Sequence, residues 1–467
     1  MRSRSSSAAQ VPGSRIPSLI EDLEVRGSTI RVRADRAFTE RFLREDFVVE
    51  YERDIDLRTL ASSTLLLPFV LNVAPILWAA GWEARVEEMD EELASVLGPI
   101  RETYRRLYPR VRWDGQLHAA TVRRGPDAPP VAGAAGTAVL FSGGVDSTAT
   151  SLLLDEPQLL ITIWGNEIAL DNQEGWGSAR GYTEAYARRH GHRPGFIRSN
   201  FRSFLDVSRL NGAFPGITNW WLDVQHGIGL VGLAAPLMAA RGANRILFSS
   251  GRTEEQITAL GAGPDLEGRL RWSGRRAEHA LGETRRHDKL RSVVERVRSG
   301  EAREITLRVC FMYPYGGGGN CGACEKCLRT MAGLLVEGED PRAYGFPGSP
   351  RKVSEAIRRR FRTLRMRFGE APGHYWEELA QRAAERLGIE GADLRAAGEP
   401  IGGFLRWVST YDFAAYARRW ARVGAARAWA IATIRRSPRA TRIAMRLMAR
   451  ARRRRLRSPG APGEGTG

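Results

Sequence analysis

The chain is organised around residues 138–148, Ala-Val-Leu-Phe-Ser-Gly-Gly-Val-Asp-Ser-Thr. A short apolar run that stops at small residues reads as a buried strand breaking into a turn. Asp146, Ser147 and Thr148 then open a helix that runs on through residues 152–154. A strand ending in glycine and feeding a helix N-terminus makes an anion site. Gly143 and Gly144 let the backbone come close, and free N–H groups and the helix dipole converge on one spot. Ser142, Ser147 and Thr148 add hydroxyls for phosphate oxygens, and Asp146 suits a helix cap or a magnesium-bound water. The alternative is a capped strand-to-helix turn with no ligand. No lysine follows the glycines, so this is not a Walker A loop.

At 467 residues the chain has room for two or three domains. Its net charge of +18 is uneven: residues 413–458 hold fifteen arginines and no acid. The basicity therefore belongs to the tail. Residues 1–21 contain no apolar run, which argues against a signal peptide. The most apolar window, residues 65–80, is short for a bilayer and contains Pro68 and Pro75, so it is expected to be a buried helix pair. A cytoplasmic protein without a transmembrane segment is expected. Only Lys289, Lys326 and Lys352 stand against 68 arginines, which marks these lysines as candidates for roles a guanidinium cannot fill.

Composition shifts divide the chain into an N-terminal accessory α+β domain (1–130), a nucleotide domain (131–340), a helical domain (341–412) and an arginine-rich tail (413–467). Residues 1–27 read as loose, residues 28–57 as short strands, and residues 59–108 as helical with an acidic stretch at 87–92. Residues 122–136 read as a linker. Strand and helix patterns then alternate, with strands expected at 138–141, 159–164, 196–199, 245–250 and 304–310. Alternation of this kind argues a doubly wound parallel sheet, an α/β fold with ligands beyond the carboxyl ends of the strands. That topology brings Trp164, Gly165, Asn166 and Glu167, and Gly251, Arg252 and Thr253, to the neighbourhood of residues 142–148.

All four cysteines fall in one stretch, Cys310, Cys321, Cys324 and Cys327. Two overlapping C-x-x-C turns plus one thiol at loop distance give four soft ligands able to close a tetrahedron around zinc. Gly322 suits the tight turn, and the glycine run 316–319 lets the loop wrap. An iron–sulfur cluster stays open, and a disulfide framework is disfavoured in a chain without a secretion signal.

The Ser-Gly-Gly-x-Asp-Ser loop resembles that of the N-type ATP pyrophosphatases, the PP-loop superfamily. Together with the cysteine stretch about 165 residues later, it resembles the 7-cyano-7-deazaguanine synthase family, over residues 136–340. The resemblance implies a PP-loop domain carrying a four-cysteine zinc knuckle. It also implies cleavage of ATP to AMP and pyrophosphate, and activation of a carboxylate or carbonyl for ammonia or another nucleophile. Carried over by position, Ser142, Gly143, Gly144, Asp146 and Ser147 would bind ATP and Mg²⁺, and the four cysteines would bind Zn²⁺. Lys289, in Arg-His-Asp-Lys-Leu, resembles the family's Thr-Lys step before the zinc segment. Three departures concern the acceptor. The first cysteine gap is long. Trp164-Gly165-Asn166-Glu167 replaces an aromatic-Tyr-Gly-Gln turn. Residues 251–256 lack the expected Asp, Tyr and Asp-Cys-Arg. ATP chemistry carries over, and the deazaguanine substrate does not.

The expected mechanism has backbone N–H groups and Mg²⁺ gripping the pyrophosphate while Lys289 or Arg252 stabilises the leaving group; catalysis of this type is mainly positioning and charge neutralisation. His226 and His287 are expected to be structural. A small-molecule or modified-base acceptor and ammonia or a separate donor protein are the expected partners. The tail reads as a partner helix, an anionic-surface helix or a nucleic-acid arm, against a plain charged terminus. The other function class is a nucleotide-binding module whose chemistry has lapsed, acting within a complex.

Overall fold

The computed structural model describes residues 16–125, 127–128, 131, 133–249, 260–310, 319–366, 368, 370–389 and 400–423. The expectations for Gly251, Arg252 and Thr253, for glycines 316–318 and for the tail beyond residue 423 lie outside the described residues.

Eleven strands are described: β1 Ile20–Arg26, β2 Thr29–Ala34, β3 Phe47–Glu50, β4 Glu83–Asp90, β5 Gln116–Arg123, β6 Thr137–Leu140, β7 Gln158–Trp164, β8 Arg193–Ser199, β9 Arg245–Ser249, β10 Arg271–Trp272 and β11 Arg275–Ala280. The helices are α1 Arg36–Phe42, α2 Ser62–Ala80, α3 Glu91–Leu107, α4 Val145–Ser151, α5 Gln173–His190, α6 Val207–Leu210, α7 His226–Arg241, α8 Arg286–Arg298, α9 Glu325–Val336, α10 Pro350–Arg362, α11 Glu370–Ile389 and α12 Ile401–Thr410. A nine-stranded sheet runs β1-β2-β3-β8-β7-β6-β9-β11-β10. Its centre, β8-β7-β6-β9-β11, is parallel, and antiparallel strands flank it on both sides. In the order the chain visits them, the parallel strands stand 3-2-1-4-5. The direction of winding therefore reverses between β6 and β9, where α/β sheets of this kind open a ligand crevice.

Side chains alternate between the two faces, so each central strand feeds two cores. Ala138, Leu159, Ile161, Ile246 and Phe248 pack with α2, α3 and α7. Val139, Leu160 and Leu247 pack with α4, α5, α8, α9 and the C-terminal helices. Both long apolar helices are used up inside the first core: 89% of the apolar window of α2, and 83% of that formed by α7 with its preceding turn, is buried in the protein. They approach closely because Gly229 and Gly232 face α2, where an added Cβ would stand 2.5 Å from Asn72 Oδ1 and 2.9 Å from the Leu67 carbonyl oxygen. The Gln225 amide donates to Asn72 Oδ1 (2.6 Å), which satisfies a buried polar pair at this contact.

Several expectations need correction. Residues 1–27 read as loose, yet Ile20–Arg26 form strand β1, paired antiparallel with β2. The window with Pro68 and Pro75 is one helix, α2, because burial on nearly every side outweighs the propensity cost of proline. The acidic stretch at 87–92 is split: Glu83–Asp90 is strand β4, paired in parallel with β5, with Ala84 and Val86 buried at period two. Residues 304–310 are extended but belong to no strand, and β11 takes the fifth parallel position. The linker at 122–136 does not separate two bodies. β3 pairs with β8, residues 19–113 share one core with the sheet, and Asp127 anchors the linker through Thr64 and Arg275. The region 341–412 likewise shares the second core with α8 and α9.

Candidate functional site

The turn after β6 is held open by its own polar groups. Gly143 has φ +75° and an added Cβ would overlap the Tyr182 ring at 2.3 Å, so only glycine fits. The Ser142 N–H donates to Ser147 Oγ (3.3 Å), the two hydroxyls lie 3.2 Å apart, and the Gly144 N–H points at Ser142 Oγ (3.3 Å). The extended segment 305–310 braces the turn from outside: the Arg308 N–H donates to the Gly143 carbonyl (2.7 Å) and the Tyr182 hydroxyl donates to the Thr306 carbonyl.

This turn forms one wall of a cleft of about 170 Å³ at the carboxyl ends of β6, β7 and β9. Ser142, Asp146, Ser147, Asn166, Glu167, His226, Phe248, Ser249 and Arg308 line it. It coincides with the point where the winding of the sheet reverses. The expected residues divide accordingly. Ser142, Asp146 and Ser147 reach the cleft, whereas Thr148 is fully buried beneath the loop and offers no hydroxyl to it. Trp164 is buried against Trp176, with its indole N–H on the Ala169 carbonyl (2.9 Å). Gly165, at φ +103° and with the Ser199 carbonyl where a Cβ would stand, turns the chain so that Asn166 and Glu167 face the cleft.

Beneath the loop lies a compact charge cluster. Asp146 sits 3.2 Å from the Arg286 guanidinium and 4.0 Å from Lys289 Nζ, and Lys289 is completely buried. Burial lowers the Lys289 pKa from its ordinary value, and the Asp146 charge opposes that shift. Arg286 and Lys289 are one helical turn apart at the start of α8, so both reach the same carboxylate. A second layer supports them: the Arg286 and Arg329 guanidiniums lie over the Tyr375 ring at 5.5 and 4.2 Å, and Glu325 stands 3.4 Å from Arg329. Sequence reasoning found Lys289 and missed Arg286, Arg329 and Tyr375.

His287 is structural as expected, its ring bonded to buried Glu337 at 2.7 Å. His226 instead faces the cleft, in contact with Trp221 and Phe248. Burial lowers the pKa of His226 to about 4, and burial does the same for His190. An unfolded chain takes up these protons near pH 6.5, so between about pH 6.5 and 4 the unfolded state binds more protons than the folded one. Stability is therefore full above pH 6.5 and declines as the pH falls through that window, by roughly 1–3 kcal/mol per imidazole after allowing for partial exposure. Urea midpoints at pH 7.5 and 4.5 measure the loss, which His190→Phe should reduce; a flat profile would contradict it.

The four cysteine sulfurs all lie within 4.8 Å of one another, and none forms a disulfide. The Cys310–Cys324 and Cys321–Cys327 pairs are each 3.9 Å apart, close to the roughly 3.8 Å edge of a tetrahedron with zinc–sulfur bonds of about 2.3 Å. Backbone N–H groups of Cys321, Cys324 and Cys327 point at neighbouring sulfurs (3.4, 3.2 and 3.5 Å), an arrangement that favours thiolates. Gly322 (φ +62°) makes the turn, and Cys324 caps α9. This group could hold a metal such as zinc. Asn320 ties the ends of the intervening loop together, accepting from the Val309 N–H (3.0 Å) and donating to the Leu307 and Gly345 carbonyls. Among the described residues no other group of three metal-ligating side chains forms.

Comparison with known proteins finds no matching family model, no matching curated protein and no matching solved structure.

Proposed function

We propose that the chain is an ATP-dependent adenylating enzyme of the N-type pyrophosphatase kind, related to 7-cyano-7-deazaguanine synthases, with a structural zinc in the four-cysteine centre. The observation that carries this reading is the conjunction at the winding reversal: an open Ser-Gly-Gly-x-Asp-Ser turn with Asp146, Arg286 and Lys289 clustered directly beneath it. A capped turn without a ligand has no need of two buried cations at its base.

In this reading the ATP phosphates rest on the turn, bonded by its backbone N–H groups and the Ser142 and Ser147 hydroxyls. Arg286 and Lys289 put positive charge under the pyrophosphate, and Asp146 fixes both cations in place. An acceptor oxygen attacks the α-phosphorus, the bond to pyrophosphate breaks, and the negative charge that develops on the leaving group falls on prearranged cations. Magnesium, when bound, neutralises phosphate charge. Asp146 Oδ1 is buried and accepts no hydrogen bond among the described residues, which suits a magnesium-bound water, and the cleft supplies no all-protein cage. His226, Phe248, Asn166 and Glu167 form the opposite wall, where the acceptor would lie.

The test is release of labelled AMP from α-labelled ATP in the presence of carboxylated deazapurines, amino acids or cell extract. AMP and pyrophosphate in equal amounts, dependent on an acceptor, are expected. Tight ATP binding with no AMP from any mixture would favour the lapsed nucleotide-binding module instead, and no ATP binding would sink both.

A further inference from the structure

Helix α10 and the residues just after it concentrate basic side chains. Residues 351–366 contain seven basic side chains and one acid, Glu355. Many arginines elsewhere in this protein have a carboxylate partner: Arg241 bridges to Glu52 and Asp54, Arg298 to Glu339, and Arg382 to Glu337. On α10 only Arg351 has such a partner among the described residues, Glu355, one turn away. No carboxylate among the described residues lies within 4.0 Å of Arg359, Arg360, Arg362 or Arg365. Four guanidiniums within seven residues, held at the end of one helix and just beyond it, repel one another unless an outside anion sits among them.

The helix is also rigidly seated. Val353, Ile357 and Phe361 are buried, and Phe361 packs edge-on against Trp376 (4.9 Å) and Tyr416 (4.7 Å) at the centre of an aromatic cluster. Its basic C-terminal turn is therefore presented in a fixed arrangement. The same packing argues against a lipid surface. Binding in a bilayer interface requires apolar side chains on the exposed side, and those of α10 all point inward. A repeating phosphate backbone matches the feature better, because guanidinium forks pair with phosphate oxygens in a bidentate way.

We propose that the exposed face of α10 is a docking surface for the phosphate backbone of a nucleic acid. The surface is separate from the cleft and does not rest on the adenylation reading. It adds a fixed basic cluster within the folded body to the arginine-rich sequence that follows residue 413.

The test uses the full-length chain and a variant carrying Arg359→Gln, Arg360→Gln, Arg362→Gln and Arg365→Gln. Binding to a labelled RNA stem-loop, a labelled DNA duplex and phosphatidylserine vesicles is measured over a series of salt concentrations. The variant is expected to bind RNA or DNA at least about tenfold more weakly at low salt, with the slope of log K against log salt reduced by about three to four. Vesicle binding should change little. RNA against DNA identifies the natural backbone. The corresponding four Arg→Lys changes keep the charge and should keep the slope, which separates a loss of phosphate contacts from a loss of fold. Unchanged affinity and slope in the glutamine variant, an equal loss on vesicles, or loss of the slope in the lysine variant as well would each overturn the proposal.

Discussion

Under the proposed zinc centre, removing the metal from Cys310, Cys321, Cys324 and Cys327 is expected to cost the protein several kcal/mol of stability, on the scale of the roughly 10 kcal/mol that structural zinc contributes to small domains. Without the metal, neighbouring sulfurs and burial push the Cys327 thiol far above its ordinary pKa, so the group holds protons and loses the ion that ties it together; Cys327 is fully buried at the start of α9. Behind it, Leu328, Met331, Leu334 and Leu335 anchor the second core. Thermal unfolding with and without a strong chelator, alongside the zinc content per chain, measures the effect. Cys327→Ser should lower the midpoint about as far as chelation does, and chelator should then add nothing to the variant. The turn at residues 142–147 should loosen in parallel, since the segment ending at Cys310 holds the Gly143 carbonyl. An unchanged midpoint in demonstrably metal-free protein would remove the metal from the account of stability.

The second large effect is expected at Lys289. Lys289→Met replaces a buried ammonium with an apolar chain of similar length and leaves Asp146 paired with Arg286, so the fold should persist. Under the proposed adenylation the chemistry should not: loss of a prearranged charge under the leaving group is expected to slow AMP formation by about 10²–10³-fold. Lys289→Arg should recover little, because a guanidinium does not fit where a fully buried ammonium stands. Asp146→Ala is less informative, since it leaves two cations unpaired and removes stability along with activity. Wild-type rates in Lys289→Met would move the leaving-group charge to another residue.

Which features the sequence revealed follows from how strongly local pattern constrains them. Strands β6, β7 and β9 are apolar runs bounded by turn residues and stand out, because strands buried on both faces have little freedom in composition. The four cysteines, alone in the chain, disclose their own grouping. β4 was hidden by its acids: Glu83, Glu87 and Glu88 fall on a surface strand lying between two helices, and charge outweighed the period-two burial of Ala84 and Val86. Residues 304–310 deceived in the opposite sense. Ile305, Leu307 and Val309 alternate because they enter the second core, yet the sheet position expected for them is held by the polar β11. Arg286 was invisible in a chain with 68 arginines, where one more carries no signal until its neighbour in space is known. Long-range pairing, which makes residues 20–50 part of the main sheet, leaves no trace in local pattern.

That last pairing governs how the molecule is made. The Val48 carbonyl accepts from the Ser199 hydroxyl, 151 residues further along the chain. As the polypeptide leaves the ribosome, β1–β3 therefore emerge long before the strand that completes them, and the inner edge of β3 stays open until β8 arrives. Contacts of such separation are slow to form, and an open strand edge is prone to pairing with a neighbouring chain in the interval. A polypeptide released anywhere before β8 would retain that edge permanently, so premature termination should yield aggregates rather than a smaller folded body.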